Sequence, residues 1–146
     1  MIPQISQAPG LIQRVLTFLE TLKAQGFTGD TATSYADRLS LSTDNSIYQL
    51  LPDAVLFPRS TADVALIARL AGEAAFSSLV FTPRGGGTGT NGQSLNQGII
   101  VDMSRHMNRI LEINTEQRWV RVEAGVVKDQ LNAYLKPFGF FFSPEL

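Results

Sequence analysis

The sequence predicts an α+β fold in which a small mixed sheet is flanked by helices. Two observations favour this class. Short apolar runs with strand-like composition alternate with stretches whose apolar residues recur at helical spacing. A glycine-rich stretch at residues 85–92 is followed almost at once by another apolar run at residue 99, which leaves no room for a helix of useful length. The chain of 146 residues is 44% hydrophobic, which is enough apolar material for a core.

Apolar spacing predicts three helices, and capping residues place their ends. The predicted helices span residues 11–24, 61–73 and 127–135. Gly26 is a C-cap for the first helix, and Pro137 and Gly139 stop the third. Ser60 opens the second helix, because its hydroxyl can accept a hydrogen bond from the backbone N–H near Asp63.

Strands are predicted where β-branched and aromatic residues cluster. They are expected in one mixed sheet and span residues 53–57, 79–82, 99–102, 110–114 and 119–124. Residues 140–143 would form a last strand. Residues 1–10 form an irregular lead-in, and residues 27–45, rich in Thr, Ser, Asp and Gly, form a loop with one irregular turn.

Composition excludes several classes of site and partner. The net charge of −1 gives no electrostatic reason to expect nucleic acid. The chain has no cysteine and a single histidine, His106, so thiolate sites and multi-histidine metal sites are excluded within it. The start lacks the pattern of a signal peptide, and no apolar run is long enough to span a membrane, so we expect a cytoplasmic domain.

The glycine-rich stretch is the candidate binding site. It comprises Arg84, Gly85, Gly86, Gly87, Thr88, Gly89, Thr90, Asn91, Gly92 and, just beyond, Ser94. Glycine permits close approach of another group, and successive free backbone N–H groups form a concave surface that suits an anion. Hydroxyl groups and one arginine add donors. This chemistry suits a phosphate or a diphosphate.

Other interpretations of these glycines stay open at this point. Residues 87–92 match G-x-G-x-x-G by letter, but a Rossmann fold needs a helix directly after the loop. Residues 87–94 resemble a Walker motif in which Gln93 replaces the required lysine. The glycines could also serve tight turns alone, or a phosphate-binding module without a redox role.

The stretch from Pro83 to Ser94 resembles the diphosphate loop of the vanillyl-alcohol-oxidase/p-cresol methylhydroxylase (PCMH-type) flavoproteins. Residues 51–60 and the helix after them resemble that family's opening strand-proline-helix unit. Residues 100–104, with residues 107–110, resemble its strand after the loop, and residues 120–126 resemble its next strand and turn, in the family's order. Within the family, the pattern is similar to FAD-linked 2-hydroxyacid dehydrogenases of the D-lactate, glycolate and D-2-hydroxyglutarate type, in the long bacterial form fused to an iron–sulfur half.

The resemblance implies a first FAD-binding subdomain at residues 45–146, truncated at its C-terminus, after an N-terminal helix and irregular extension at residues 1–44. It implies noncovalent FAD and a small 2-hydroxy acid as substrate. It adds Gly125 and Pro144 to the cofactor-binding residues. Catalytic residues and an iron–sulfur cluster would lie beyond residue 146, so this polypeptide alone would be inactive.

Residues outside the loop are expected to have structural roles. His106 is interpreted as a polar surface group and Asp102 as the cap of the turn after its strand. Trp119 and the aromatic residues at 138–142 are expected in the core or at a subdomain interface. Truncation would leave some of these aromatic side chains exposed, and an exposed apolar patch favours self-association.

Overall fold

The computed structural model describes residues 12–144, so the lead-in predicted at residues 1–10, the first residue of the first predicted helix and the last two residues lie outside the described residues. The described helices are α1 (Gln13–Ala24), α2 (Tyr35–Ser40), α3 (Thr61–Ala71) and α4 (Lys128–Leu135). The described strands are β1 (Asp30–Ala32), β2 (Ala54–Phe57), β3 (Phe81–Arg84), β4 (Ile99–Asp102), β5 (Ile110–Asn114) and β6 (Trp119–Val122).

The strands form two sheets. The main sheet has the order β1-β2-β4-β3, in which β2, β4 and β3 are parallel and β1 is antiparallel to β2. The small mixed sheet with flanking helices is therefore confirmed. The prediction that all five strands share it was wrong, because within residues 12–144 β5 and β6 pair only with each other, as an antiparallel hairpin. Local periodicity shows that a strand exists but does not specify its partner.

Residues 27–45 are more regular than predicted. They contain β1 and α2 where a loop with one irregular turn was expected. The three residues of β1 take their hydrogen bonds from β2, so pairing rather than local composition makes them a strand. Ser34 caps α2 by accepting from the N–H of Asp37, which allows a helix of only six residues.

Two other strand predictions need correction. The strand predicted at 79–82 lies two residues later, as β3, and includes Pro83 because an edge strand tolerates a residue without an N–H. Residues 140–143 form no strand. There the backbone N–H and C=O of Phe142 both pair with the side-chain amide of Asn132, at 2.7 and 3.2 Å.

The core covers both faces of the central strands. Every residue of β2 and β4 is buried, which explains their continuous apolar composition. On one face α1 and α3 pack against them, and the cluster includes Val15, Phe18, Leu56 and Leu70. Thus α1, from the N-terminal part of the chain, shares one core with β3 and β4, the strands before and after the glycine-rich stretch.

Two predicted capping interactions are confirmed. The Ser60 hydroxyl accepts from the N–H of Asp63 at 3.2 Å. The Asp102 carboxylate accepts from the N–H and the hydroxyl of Ser104 at 2.8 and 2.7 Å, which closes the turn after β4. His106, expected as a polar surface group, lies partly buried with Nε2 2.6 Å from the Asp30 carboxylate.

Candidate functional site

A cleft opens at the carboxyl ends of β3 and β4, where the chain leaves both strands. It has a volume of about 510 Å³ and lies between the glycine-rich stretch and the turn that leads into α4. The carboxyl edge of a parallel sheet is where ligands bind in many α/β proteins. Seven of the predicted residues line it: Gly85, Gly86, Gly87, Thr88, Gly89, Ser94 and Gly125. The sequence missed Gln93, Ala124, Val126, Val127, Lys128 and Asp129, which line it as well.

Gly85 and Gly86 leave open space beside the backbone. A Cβ built on Gly85 would meet no atom within 4 Å, and one on Gly86 would meet only Thr88 Cγ2 at 3.6 Å. Neither residue has the positive φ that favours glycine. Nothing in the described protein therefore requires glycine at these two positions, and both residues line the cleft. These residues fit a ligand that approaches the backbone closely.

Gly87 and Gly125 are glycines for reasons internal to the fold. Gly87 has a φ of +66°, and a Cβ on it would meet the guanidinium of Arg84. A Cβ on Gly125 would meet the backbone carbonyl of Met103, just after β4. Gly125 donates its N–H to the Met107 carbonyl at 2.8 Å, which fixes this turn against the end of β4 and shapes the far side of the cleft.

Arg84, the first residue of the glycine-rich stretch, does not line the cleft. The residue is only 8% exposed. Its guanidinium donates to the Thr43 carbonyl at 2.9 Å and to Ser94 Oγ at 3.4 Å, and its Nε lies 3.9 Å from Asp102 Oδ2. The charge that the sequence places beside the loop is therefore committed to internal partners. Sequence spacing cannot show this, because the direction of the side chain depends on tertiary neighbours.

The remaining predicted residues lie away from the cleft lining. Thr90, Asn91 and Gly92 form the far part of the loop, where the Asn91 N–H donates to Gln93 Oε1 at 3.1 Å. The loop then reaches β4 without any helix, as predicted. Pro144 is exposed at the end of the described chain and is not part of the lining.

The N-terminus of α4 faces the cleft through Lys128 and Asp129. Val127 is the N-cap residue, and its apolar side chain cannot accept from the first-turn N–H groups. Those N–H groups and the positive end of the helix dipole favour an anion, as does Lys128, whereas Asp129 opposes one. The sequence feature that could have indicated these residues is the start of a helix, three residues after Gly125, that lacks a capping side chain.

Among residues 12–144, no three His, Cys, Asp or Glu residues lie together in a way that could hold a metal ion. No helix in this part of the chain is long and apolar enough to cross a membrane. The donors that the cleft offers are thus backbone N–H groups, hydroxyls, one amide and one lysine.

The chain is similar to several known proteins. A protein-family model described as "FAD binding domain" matches residues 52–146. D-2-hydroxyglutarate dehydrogenase of Escherichia coli (strain K12) is 82% identical over 146 residues, and that of Haemophilus influenzae (strain ATCC 51907 / DSM 11121 / KW20 / Rd) is 61% identical over the same length. Each alignment covers 100% of this chain and 14% of the relative.

A solved structure shows the same fold at low identity. Alkyldihydroxyacetonephosphate synthase, in space group P1, superposes with a TM-score of 0.75 and is 21% identical. The match covers 94% of this chain and 30% of that one. At this identity the likeness shows the fold alone.

Proposed function

Because the chain belongs to the FAD-binding domain family, we propose that its cleft at the ends of β3 and β4 holds the diphosphate of noncovalently bound FAD. We further propose that the whole protein is a D-2-hydroxyglutarate dehydrogenase. The relatives that carry this name are far longer than the chain, which spans 14% of their length. The activity is therefore a proposal for the protein of which these residues form one domain.

The open space at Gly85 and Gly86 carries the proposal for the cofactor. Backbone N–H groups along residues 85–89 can donate to diphosphate oxygens only where no side chain intervenes. The Thr88 hydroxyl and Gln93 amide add donors on the same side. Across the cleft, the first turn of α4 and Lys128 offer positive potential to the same anion.

Other predicted residues are proposed with different roles. Arg84 supports the loop from behind through its contacts with Thr43 and Asp102. Contacts of Thr90, Asn91, Gly92 and Pro144 with FAD stay predictions. So do the boundary at residue 45, the cytoplasmic location and self-association through exposed aromatic side chains such as Phe141.

When bound, FAD supplies the redox chemistry by accepting a hydride equivalent from the carbon that bears the substrate hydroxyl. The residues described here bind and orient the diphosphate end of the cofactor. The groups that hold the substrate and accept its hydroxyl proton belong to other parts of the protein. An iron–sulfur cluster in those parts also stays a prediction.

The test uses the full-length protein. We expect it to purify with flavin absorbance that is released by denaturation, since the cofactor is noncovalent. It should reduce an artificial acceptor with D-2-hydroxyglutarate, while L-2-hydroxyglutarate serves as the matched control. A protein that stays colourless after incubation with FAD would overturn the cofactor assignment. A flavoprotein equally active with both enantiomers, or with neither, would overturn the substrate assignment only.

A further inference from the structure

Residues 43–48 contact the glycine-rich stretch from outside the region that the family model matches. This segment lies between α2 and β2, whereas the match begins at residue 52. It reaches both ends and the middle of the loop. Its contacts are therefore not explained by the FAD-binding domain as the family defines it.

Three hydrogen bonds join the segment to the loop. The Thr43 carbonyl accepts from Arg84 Nη2 at 2.9 Å, at the point where β3 ends. The N–H of Asn45 donates to the Gly87 carbonyl at 3.0 Å. The hydroxyl of Ser94 donates to Asp44 Oδ2 at 3.0 Å, at the far end of the loop.

Tyr48 adds an apolar contact. Its ring packs against Gly92, since a Cβ built on Gly92 would lie 3.0 Å from Tyr48 Cδ2. Gly92 also has a φ of +73°, so the loop turns sharply at the residue that the ring covers. The segment thus holds the loop at four points between residues 84 and 94.

The segment has its own internal order. Asp44 Oδ1 accepts from the N–H of Ser46 at 2.9 Å, and Ser46 Oγ accepts from the N–H of Tyr48 at 3.1 Å. A bridge between Thr43 and Gln49 closes its base. Hydrogen bonds from Ser46 and then Ser94, with the charge of Arg84, hold the pKa of Asp44 below its ordinary 3.8, so the carboxylate is ionised at neutral pH.

We propose that residues 43–48 are a positioning element that holds the glycine-rich loop in its FAD-binding shape before the cofactor arrives, with Asp44 as its key residue. A loop already ordered loses less conformational entropy on binding, which raises affinity without a new contact to the ligand. This inference rests on the proposed function for its ligand. The order of the loop can be measured without the ligand.

The experiment compares Asp44→Ala with Asp44→Asn in the full-length protein. Alanine removes both hydrogen bonds of the carboxylate. Asparagine can keep them, since its oxygen accepts from Ser46 and its NH₂ donates to Ser94 Oγ. Asn114→Ala is the control, because it removes another side-chain acceptor of a backbone N–H: Asn114 Oδ1 accepts from the N–H of Gln117 in the distant β5–β6 turn.

Two quantities are measured. Hydrogen exchange of residues 85–94 in the FAD-free protein should be about tenfold faster in Asp44→Ala, as for loss of a charge-assisted hydrogen bond, and the Kd for FAD should rise by about the same factor. The control should resemble the wild type, and Asp44→Asn should lie between the wild type and Asp44→Ala, since asparagine keeps the hydrogen bonds but not their charge. At saturating FAD, kcat and the KM for D-2-hydroxyglutarate should be unchanged in every variant.

Unchanged exchange of residues 85–94 in Asp44→Ala would overturn the inference, as would an equal effect in the control. If Asp44→Ala fails to fold, Tyr48→Ala replaces it: faster exchange of residues 85–94 in that variant supports the inference, and unchanged exchange overturns it. If the wild type binds no FAD, the proposed function fails, but the exchange result still shows whether this segment orders the loop.

Discussion

The guanidinium of Arg84 and the carboxylate of Asp102 form a buried ion pair behind the glycine-rich loop, with Nε 3.9 Å from Oδ2. The pair joins the carboxyl ends of β3 and β4, which are aligned at these two residues. Asp102 also holds the turn after β4 through Ser104. The same two residues therefore fix the start of the loop, at the end of β3, and the turn after β4.

Replacing Arg84 with methionine should destabilise the main sheet, because Asp102 would remain buried without its cation. We expect a loss of about 3 kcal/mol, the usual scale for removing one partner of a buried pair. Hydrogen exchange of β4 in the full-length protein measures it. Arg121→Met, which breaks an exposed pair with Glu112, should cost about 1 kcal/mol at most. Equal losses in the two variants would contradict a buried, paired Arg84.

Gly85→Ala should mainly weaken FAD binding, whereas Gly87→Ala should mainly lower the stability of the loop. Gly85→Ala should leave stability unchanged or raise it by about 0.5 kcal/mol, since its backbone suits alanine, but should weaken FAD binding at least about tenfold by filling the cleft. Gly87→Ala should destabilise the loop, because its φ of +66° is strained for alanine. Hydrogen exchange of the FAD-free protein and flavin fluorescence titration separate the two effects. An unchanged FAD affinity in Gly85→Ala would contradict the proposal that the diphosphate lies beside Gly85.

The charges at the start of α4 should act in opposite directions on FAD affinity. Lys128→Met should weaken binding by about two- to fivefold, and Asp129→Asn should strengthen it by a similar factor, which is the scale of a charge near a helix terminus. Both effects should shrink as salt is raised. Titrations with FAD at low and high salt provide the check. A change of FAD affinity in the same direction for both variants would show that the start of α4 does not contribute to the site.

The ionisation of Asp63 should make the free energy of unfolding depend on pH in the acidic range. Burial raises the pKa of its carboxyl, but hydrogen bonds from Thr28 and Arg59 more than offset this, so the folded-state pKa lies below the ordinary 3.8. The ionised form thus contributes stability that is present above pH 3.8 and is lost as the pH falls through the folded value. Asp63→Asn should cost about 1–2 kcal/mol at pH 7 and less at pH 3, by hydrogen exchange of α3. A cost that is the same at both pH values would contradict this assignment.

Residues 1–146 expressed alone should bind FAD more weakly than about 1 μM and show no dehydrogenase activity. In the proposed complex the cleft would contact the diphosphate through a few donors, whereas cofactor sites bury most of a ligand's surface. Calorimetric titration of the purified polypeptide with FAD gives the Kd. Submicromolar affinity would show that this domain is a sufficient site by itself.

The sequence by itself determined the parts that depend on local chemistry. The bounds of β4 and β5, the cap of α3 by Ser60 and the lack of a helix after the loop all follow from composition and short-range spacing. The glycine-rich stretch was recognisable from composition too, and close approach of a ligand to Gly85 and Gly86 stays a prediction.

Only the tertiary structure decided what depends on distant neighbours. It paired β5 with β6 outside the main sheet and made β1 a strand by pairing it with β2. It turned Arg84 away from the cleft, towards Asp102 and Thr43, because burial of a charge requires partners that lie far along the chain. It also brought residues 43–48 onto the loop. Local periodicity carries no information about such contacts, since the hydrogen bonds and charges concerned come from segments tens of residues apart.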